Sequence, residues 1–217
     1  MSCWWLIKPS ECVKNLGARL DSQMEMVPQV NTVSRSCYAQ LRQIGHIRQY
    51  LSSDATKTLV NSLVTSKLDY CNSLLHGASK KLLQKLQNVQ NTAARIITRT
   101  SRRSHITPVL KELHRLPIQY RVDFKILTLT YKAMHSESPT YITDMLEVYK
   151  PKRELRSANK TVSLAVPICR LVRYGDRSFM HAAPKLWNSL PSDVRDADTL
   201  ASFKKRLKTH FCKQLYW

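Results

Sequence analysis

Residues 79–99 read SKKLLQKLQNVQNTAARIITR, and this stretch decides the fold because it alone shows two complete stripes at helical spacing. Leu82, Leu83, Leu86, Val89, Ala93, Ile96 and Ile97 recur at intervals of three and four, the pattern of one buried helix face. Ser79 stands ahead of them as an N-cap. Lys81, Lys85, Asn88, Thr92, Arg95 and Arg99 repeat at the same period, and at about 100° per residue they lie roughly 130° from the apolar stripe. An ordinary solvated helix surface has the same appearance. The next residues raise the charge further: Thr100, Ser101, Arg102, Arg103 and Ser104 extend the cationic end into a turn, a combination that suits a polyphosphate backbone.

Outward from this stretch, the 217 residues are 43% hydrophobic, enough for a core, and hold only four glycines. So few glycines leave little material for the turns of an all-β fold or for a phosphate-cradling loop, and a mainly helical protein is expected. The formal charge is +20. An excess this large exceeds what solubility needs and implies a polyanionic partner, with nucleic acid first and an acidic membrane surface second. The charge is concentrated: residues 79–135 carry 12 basic and 2 acidic side chains, against 8 and 5 before them and 15 and 8 after them. Binding through such a surface would be steeply salt-dependent and little concerned with sequence.

Before this stretch, Leu16 and Leu20 flank Gly17 in a short strand or hairpin element that needs a neighbour to pair with. Pro28 closes that region. Tyr38, Leu41, Ile44, Ile47 and Leu51 predict a helix over about 34–50, and Ser53 caps a second one, broken near 69–72 and ended by Gly77. Beyond the stretch, Thr107 and Pro108 open a short helix. Pro117 starts a longer one over about 118–135 whose apolar side exceeds half its circumference. Ser138 and Pro139 begin another short helix. Residues 150–173 change texture to proline, basic and β-branched residues, read as an extended linker with a small β-ribbon around 161–172 interrupted at Pro167. Phe179, Ala182, Ala183, Leu186, Trp187 and Leu190 then mark a helix that Pro184 kinks or splits. A last helix over about 200–215 turns Leu200, Phe203, Leu207 and Phe211 inward. The expected fold is mainly α: a helical bundle with a short N-terminal strand element and that small ribbon.

Motifs of enzymatic chemistry are missing. The sequence contains no G-x-S-x-G, P-loop or H-E-x-x-H pattern. The one dense acidic group, Asp193, Asp196 and Asp198, precedes the last helix, where acidic residues compensate the helix dipole. Six scattered cysteines without a Cys-x-x-Cys pair argue against zinc and for reduced thiols in the cytosol or nucleus. No apolar run approaches the roughly 20 residues of a membrane span, and no secretory signal is visible. Tyr120, Phe124, Tyr131, Trp187 and Leu190 could stack on bases, but their helical spacing favours core packing. The candidate contacts are therefore cations. Lys80, Lys81, Lys85, Arg95, Arg99, Arg102 and Arg103 form one expected phosphate-facing surface and Lys204, Lys205, Arg206 and Lys208 another, which Arg170, Arg173 and Arg177 can join.

Six blocks taken in order, VKNLGARLD, LVTSKLDYCNSLL, KLQNVQNTAARIITRT, HITPVLKELHRLPIQYRVDFKILTLTYKAMH, YGDRSFMHAAPKLWNSLP and SFKKRLKTHF, resemble the C-terminal third of the reverse transcriptases of jockey-like LINE (non-LTR) retrotransposons. The resemblance runs from about Pro9 to the end. It implies a remnant of the strand region after the palm over 1–30, a thumb-like helical domain over 31–149, an extended linker or ribbon over 150–173 and a C-terminal helical segment over 174–217. It also implies a partner, the backbone of RNA or an RNA–DNA hybrid held by the thumb. The family's Tyr-x-Asp-Asp turn and upstream aspartate are missing, since Asp69-Tyr70-Cys71 is not that motif, and so are its endonuclease and its Cys-x2-Cys-His-Cys knuckle. No catalytic residue, metal or cofactor is expected, nor a small-molecule substrate or a membrane. The chain resembles a truncated or separately encoded piece of such an element. Three expectations stand side by side: a nonspecific nucleic-acid binding module, an accessory piece completed by a separate palm polypeptide, and a non-functional relic.

Overall fold

The computed structural model describes residues 10–149, 162–169, 171 and 174–216. The chain is mainly α-helical with a two-stranded antiparallel sheet near its start. It divides into two units, Met1–Leu113 and His114–Trp217, so the boundary falls inside the stretch 31–149.

In the first unit, β1 (Cys12–Asn15) and β2 (Ala18–Asp21) pair with each other in the register Asn15 with Ala18 and Cys12 with Asp21. The two-residue turn is Leu16 at φ 46° and Gly17 at φ 88°. Positive φ at both central positions matches the twist of a tight hairpin. Leu16 is thus an exposed apex (86% accessible) rather than a strand residue in want of a partner. The Tyr70 ring lies 3.4 Å from where a Gly17 Cβ would sit, and its hydroxyl donates to the Leu16 carbonyl, so the VKNLG and LDYCN blocks dock on one another.

Asp21 builds the entry to α1 (Val27–Ile47). Its carboxylate accepts from the Glu25 and Met26 N–H groups at 3.0 and 2.8 Å, replacing the side-chain cap that Met26 lacks. Pro28 stands in the first turn, where its missing N–H costs nothing, so the helix begins seven residues earlier than the periodicity of 34–50 suggests. Its buried stripe is Val30, Cys37, Leu41 and Ile44; Tyr38 and Ile47, expected inside, are exposed. A single 3₁₀ turn (Arg48–Tyr50) comes next. The Ser52 hydroxyl, not that of Ser53, caps α2 (Ser53–Val60) by accepting from Ala55 N–H at 3.1 Å. A π turn (Asn61–Thr65) and α3 (Ser66–Asp69) continue it. The buried positions Thr56, Val60, Val64 and Leu68 are four apart, a spacing that drifts by about 40° per step in an ideal α-helix. The underwound π turn corrects that drift. Leu59 and Leu63 are half-buried, and Cys71 at φ 52° breaks the run.

The two-stripe stretch forms α4 (Lys80–Thr98), capped by the Ser79 hydroxyl. Leu82, Leu83, Leu86, Val89, Ala93 and Ile97 are buried as expected, Gln90 and Ala94 join them, and Ile96 is half-buried. The short α5 (Ile106–Glu112) starts one residue before Thr107, with His105 at the cap position, and packs Val109 and Leu110 on Ala94.

The second unit is built on α6 (Ile118–Met134), followed by α7 (Thr140–Thr143), α8 (Phe179–Asn188), α9 (Ser192–Arg195) and α10 (Leu200–Tyr216). Its core joins Leu127, Tyr131, Trp187, Leu190, Phe203, Leu207 and Phe211. The Tyr131 and Phe203 rings stack at 4.5 Å and Tyr120 meets Phe211 edge-on at 5.2 Å. Of the residues that could have served as base-stacking platforms, Tyr131, Trp187 and Leu190 are therefore core, with Tyr120 and Phe124 partly buried against them. Pro184 is buried inside α8, which runs through it without splitting.

A ribbon closed within 161–172 does not appear among the described residues; 161, 170, 172 and 173 lie outside them. Leu164 instead bridges Val148, with Tyr149 N–H donating to Ser163 O at 2.9 Å and Ala165 N–H to Glu147 O at 2.8 Å. On its other side the Asn188 amide accepts from Leu164 N–H and donates to Leu164 O, at 2.9 and 2.8 Å, and Trp187 Nε1–H donates to Val162 O at 3.1 Å. Side chains of α8 thus satisfy backbone groups that a second ribbon strand would otherwise have met.

Candidate nucleic-acid interface

The candidate cations fall into two groups, one in each unit. In the first unit, α4 contains no acidic residue, and neither does α1. Ordinary solvated helices interleave both signs of charge, so two acid-free helices in contact differ from a generic surface. The neutral positions of α4 pair with each other: Gln84 donates to Asn88 and Gln87 to Asn91, both at 2.8 Å. Lys80 and Lys81 are exposed in the first turn. Cations there oppose the helix dipole, which favours anions at that end.

The stripe itself divides by role. Lys81 is exposed and bonds no described residue, while Lys85 Nζ donates to Asn31 Oδ1 of α1 at 3.0 Å. Arg95 is not free to meet a ligand with its whole fork. One Nη donates to the Ser101 carbonyl and the other to the Ser104 carbonyl at 2.9 Å, so it shapes the turn that presents the exposed Arg102 and Arg103. Arg99, the C-terminal cap, sits at φ 56° and donates from Nη2 to Arg48 O at 3.2 Å. A non-glycine residue in this region is uncommon and strained. From Lys81 to Arg99 the rise of the helix spans about 27 Å, so the seven residues form an elongated band and not a focus.

Sequence reasoning missed Arg48. Its Nε donates to Ile96 O and its Nη2 to Ile97 O, both at 2.9 Å, and its Nη1 to Leu51 O at 2.8 Å. The Ile96 and Ile97 carbonyls belong to the last turn of α4, which has no intrahelical donors of its own. The only local signal is a cation just past the α1 periodicity; its partners lie 48 and 49 residues away.

In the second unit, Lys204, Lys205, Arg206 and Lys208 are exposed on α10, another helix without an acidic residue. Arg206 donates to the Asp193 backbone carbonyl at 2.6 Å and so ties α10 to α9; the side chains of the three lysines bond no described residue. Arg177 is partly buried ahead of α8, and Arg170 and Arg173 lie outside the described residues. None of the eleven principal candidates is paired with a carboxylate among the described residues. Asp193, Asp196 and Asp198 are exposed, and no group of three or more metal-ligating side chains occurs among the described residues. No described helix is long and apolar enough to cross a membrane.

No family model matches the chain, and neither does a curated protein or a solved structure.

Proposed function

We propose that this chain grips a nucleic-acid backbone nonspecifically, as the thumb-like and C-terminal part of a jockey-like LINE reverse transcriptase, and that it carries no polymerase chemistry of its own. The observation that supports this reading most is the acid-free character of α1, α4 and α10, with exposed lysines and arginines unpaired by carboxylates among the described residues. The resemblance makes RNA or an RNA–DNA hybrid the ligand to test, and cations distributed along helices suit its phosphates, which they contact without reading base edges. Two-metal polymerisation needs clustered carboxylates, and the aspartates before α10 face solvent. Filter binding of a labelled RNA–DNA hybrid across a salt series tests the reading. Affinity should fall linearly in log–log form, by a slope of about 0.9 for each phosphate neutralised on duplex DNA and somewhat less on single strands. Affinity indifferent to salt would contradict it.

A second reading, an accessory piece that completes a separate palm polypeptide, draws on the hairpin. Strand β1 pairs only with β2 among the described residues, and Val13 on it is exposed. An open edge is a template for another strand. Primer extension should then fail with this chain alone and appear with an added palm polypeptide.

A further inference from the structure

Resting on the nucleic-acid reading above, we infer that α1 supplies a second row of backbone contacts beside α4, with Gly45 as the point where the ligand backbone comes closest to the helix. Asn31, Arg35, Tyr38, Arg42, Gly45 and His46 fall within one stripe at helical spacing. Arg35, Arg42 and His46 are exposed and bond no described residue.

Two bonds set this stripe alongside the one on α4. Near one end Lys85 donates to Asn31, and at the other Arg99 donates to Arg48 O, just past α1. Residue 31 meets 85 and residue 48 meets 96, 97 and 99, so the helices run parallel with their polar stripes adjacent along the shared length. Packed helix axes lie about 8–10 Å apart, which puts two rows of cations on one face without an acid in either helix.

Gly45 interrupts this face for no packing reason. A Cβ built on it would meet nothing within 4 Å, and its backbone is ordinary helix. Glycine inside a helix weakens it relative to almost any other residue, so an open, unstrained position filled by glycine loses stability without gaining a contact inside the chain. The missing side chain leaves a notch between Arg42 and the Arg99–Arg48 bond, where a phosphate can approach the guanidiniums of Arg42 and Arg99 without meeting a side chain at position 45. Charge complementarity points to a polyphosphate. A membrane-surface helix would need a continuous apolar face outside, and here the exposed side of α1 carries Asn31, Thr32 and Gln43 among its cations.

The test is a salt titration of hybrid binding by the whole chain, with melting temperature measured on the same samples. Gly45→Gln adds no charge and improves helix propensity; it should raise the melting temperature and weaken binding severalfold, two effects of opposite sign. The double variant Arg35→Gln, Arg42→Gln should lower the salt slope by about two. Wild type that binds while both variants bind equally well overturns the α1 assignment alone. Wild type that binds no hybrid at any salt overturns both this assignment and the proposed function. Anionic vesicles that compete as well as hybrid, with the same sensitivity to the variants, overturn the choice of ligand.

Discussion

The Nη2 of Arg48 lies 2.9 Å from the carbonyl of Ile97, joining the end of α1 to the end of α4 across 49 residues of sequence. With its bonds to Ile96 and Leu51, one half-buried guanidinium satisfies three backbone carbonyls. Arg48→Met keeps much of the aliphatic stem and removes the donors. Hydrogen bonds from charged groups contribute about 1.5–3 kcal/mol each, and not additively, so a loss of about 2–4 kcal/mol is expected. Urea denaturation would show it as a lower midpoint with an unchanged slope; a midpoint within error of wild type would show that water replaces the guanidinium.

Leu16 occupies a left-handed turn position at φ 46° with its side chain almost fully exposed. The residue gains nothing from burial and bears the strain of a conformation suited to asparagine or glycine. Leu16→Asn retains the carbonyl that accepts from Tyr70 and should stabilise the first unit by about 1 kcal/mol. Thermal melts of the two proteins check this, and a less stable variant would show that Leu16 is held by something other than the turn.

Burial pushes the Cys37 thiol up to about 11, with Lys67 opposing the shift, and its Sγ approaches Val64 O at 3.8 Å. A thiol whose folded value exceeds its unfolded value of 9.0 contributes stability that is complete below pH 9 and disappears as pH rises through 11. Wild type should therefore lose more stability between pH 8.5 and about 11 than Cys37→Ala does, although the variant starts lower because of its cavity. In native protein a thiol reagent should modify Cys71 and Cys212, both partly exposed, well before Cys37.

Asn188 holds Leu164 by both ends of its amide, as a neighbouring strand would. Asn188→Ala leaves the Leu164 N–H and C=O without those partners and should cost about 2 kcal/mol. Hydrogen exchange at the Leu164 amide reads this locally: it should accelerate in the variant while amides of the buried middle of α6 stay protected. Equal acceleration throughout the unit would indicate global destabilisation instead.

Much of the fold is set by local pattern. In α4 the 3.6-residue period carries both the buried and the cationic stripe, and in α6 and α10 Ile126, Tyr131, Phe203 and Leu207 are inward as their spacing requires. Pro28 misleads because the same residue that ends one helix suits the first turn of another, and nothing local distinguishes the two. The segment around Leu164 reads as half of a ribbon because β-branched residues flank a proline; its actual partners are Val148 and an amide on a later helix. The cations are visible as a pattern, but their division of labour is not. Arg95 and Arg48 spend their donors on carbonyls that become neighbours only when the chain folds, whereas Lys81, Arg102 and Arg103 do not.

The central claim is that the exposed cations of α4 meet phosphates. Its most direct measurement is the slope of log affinity against log salt for wild type and for the double variant Lys80→Gln, Lys81→Gln on one RNA–DNA hybrid. If these lysines neutralise phosphates, the variant's slope is shallower by about one for each contact removed, with melting temperature unchanged or raised by relief of the α4 dipole. Identical slopes for the two proteins would contradict the claim.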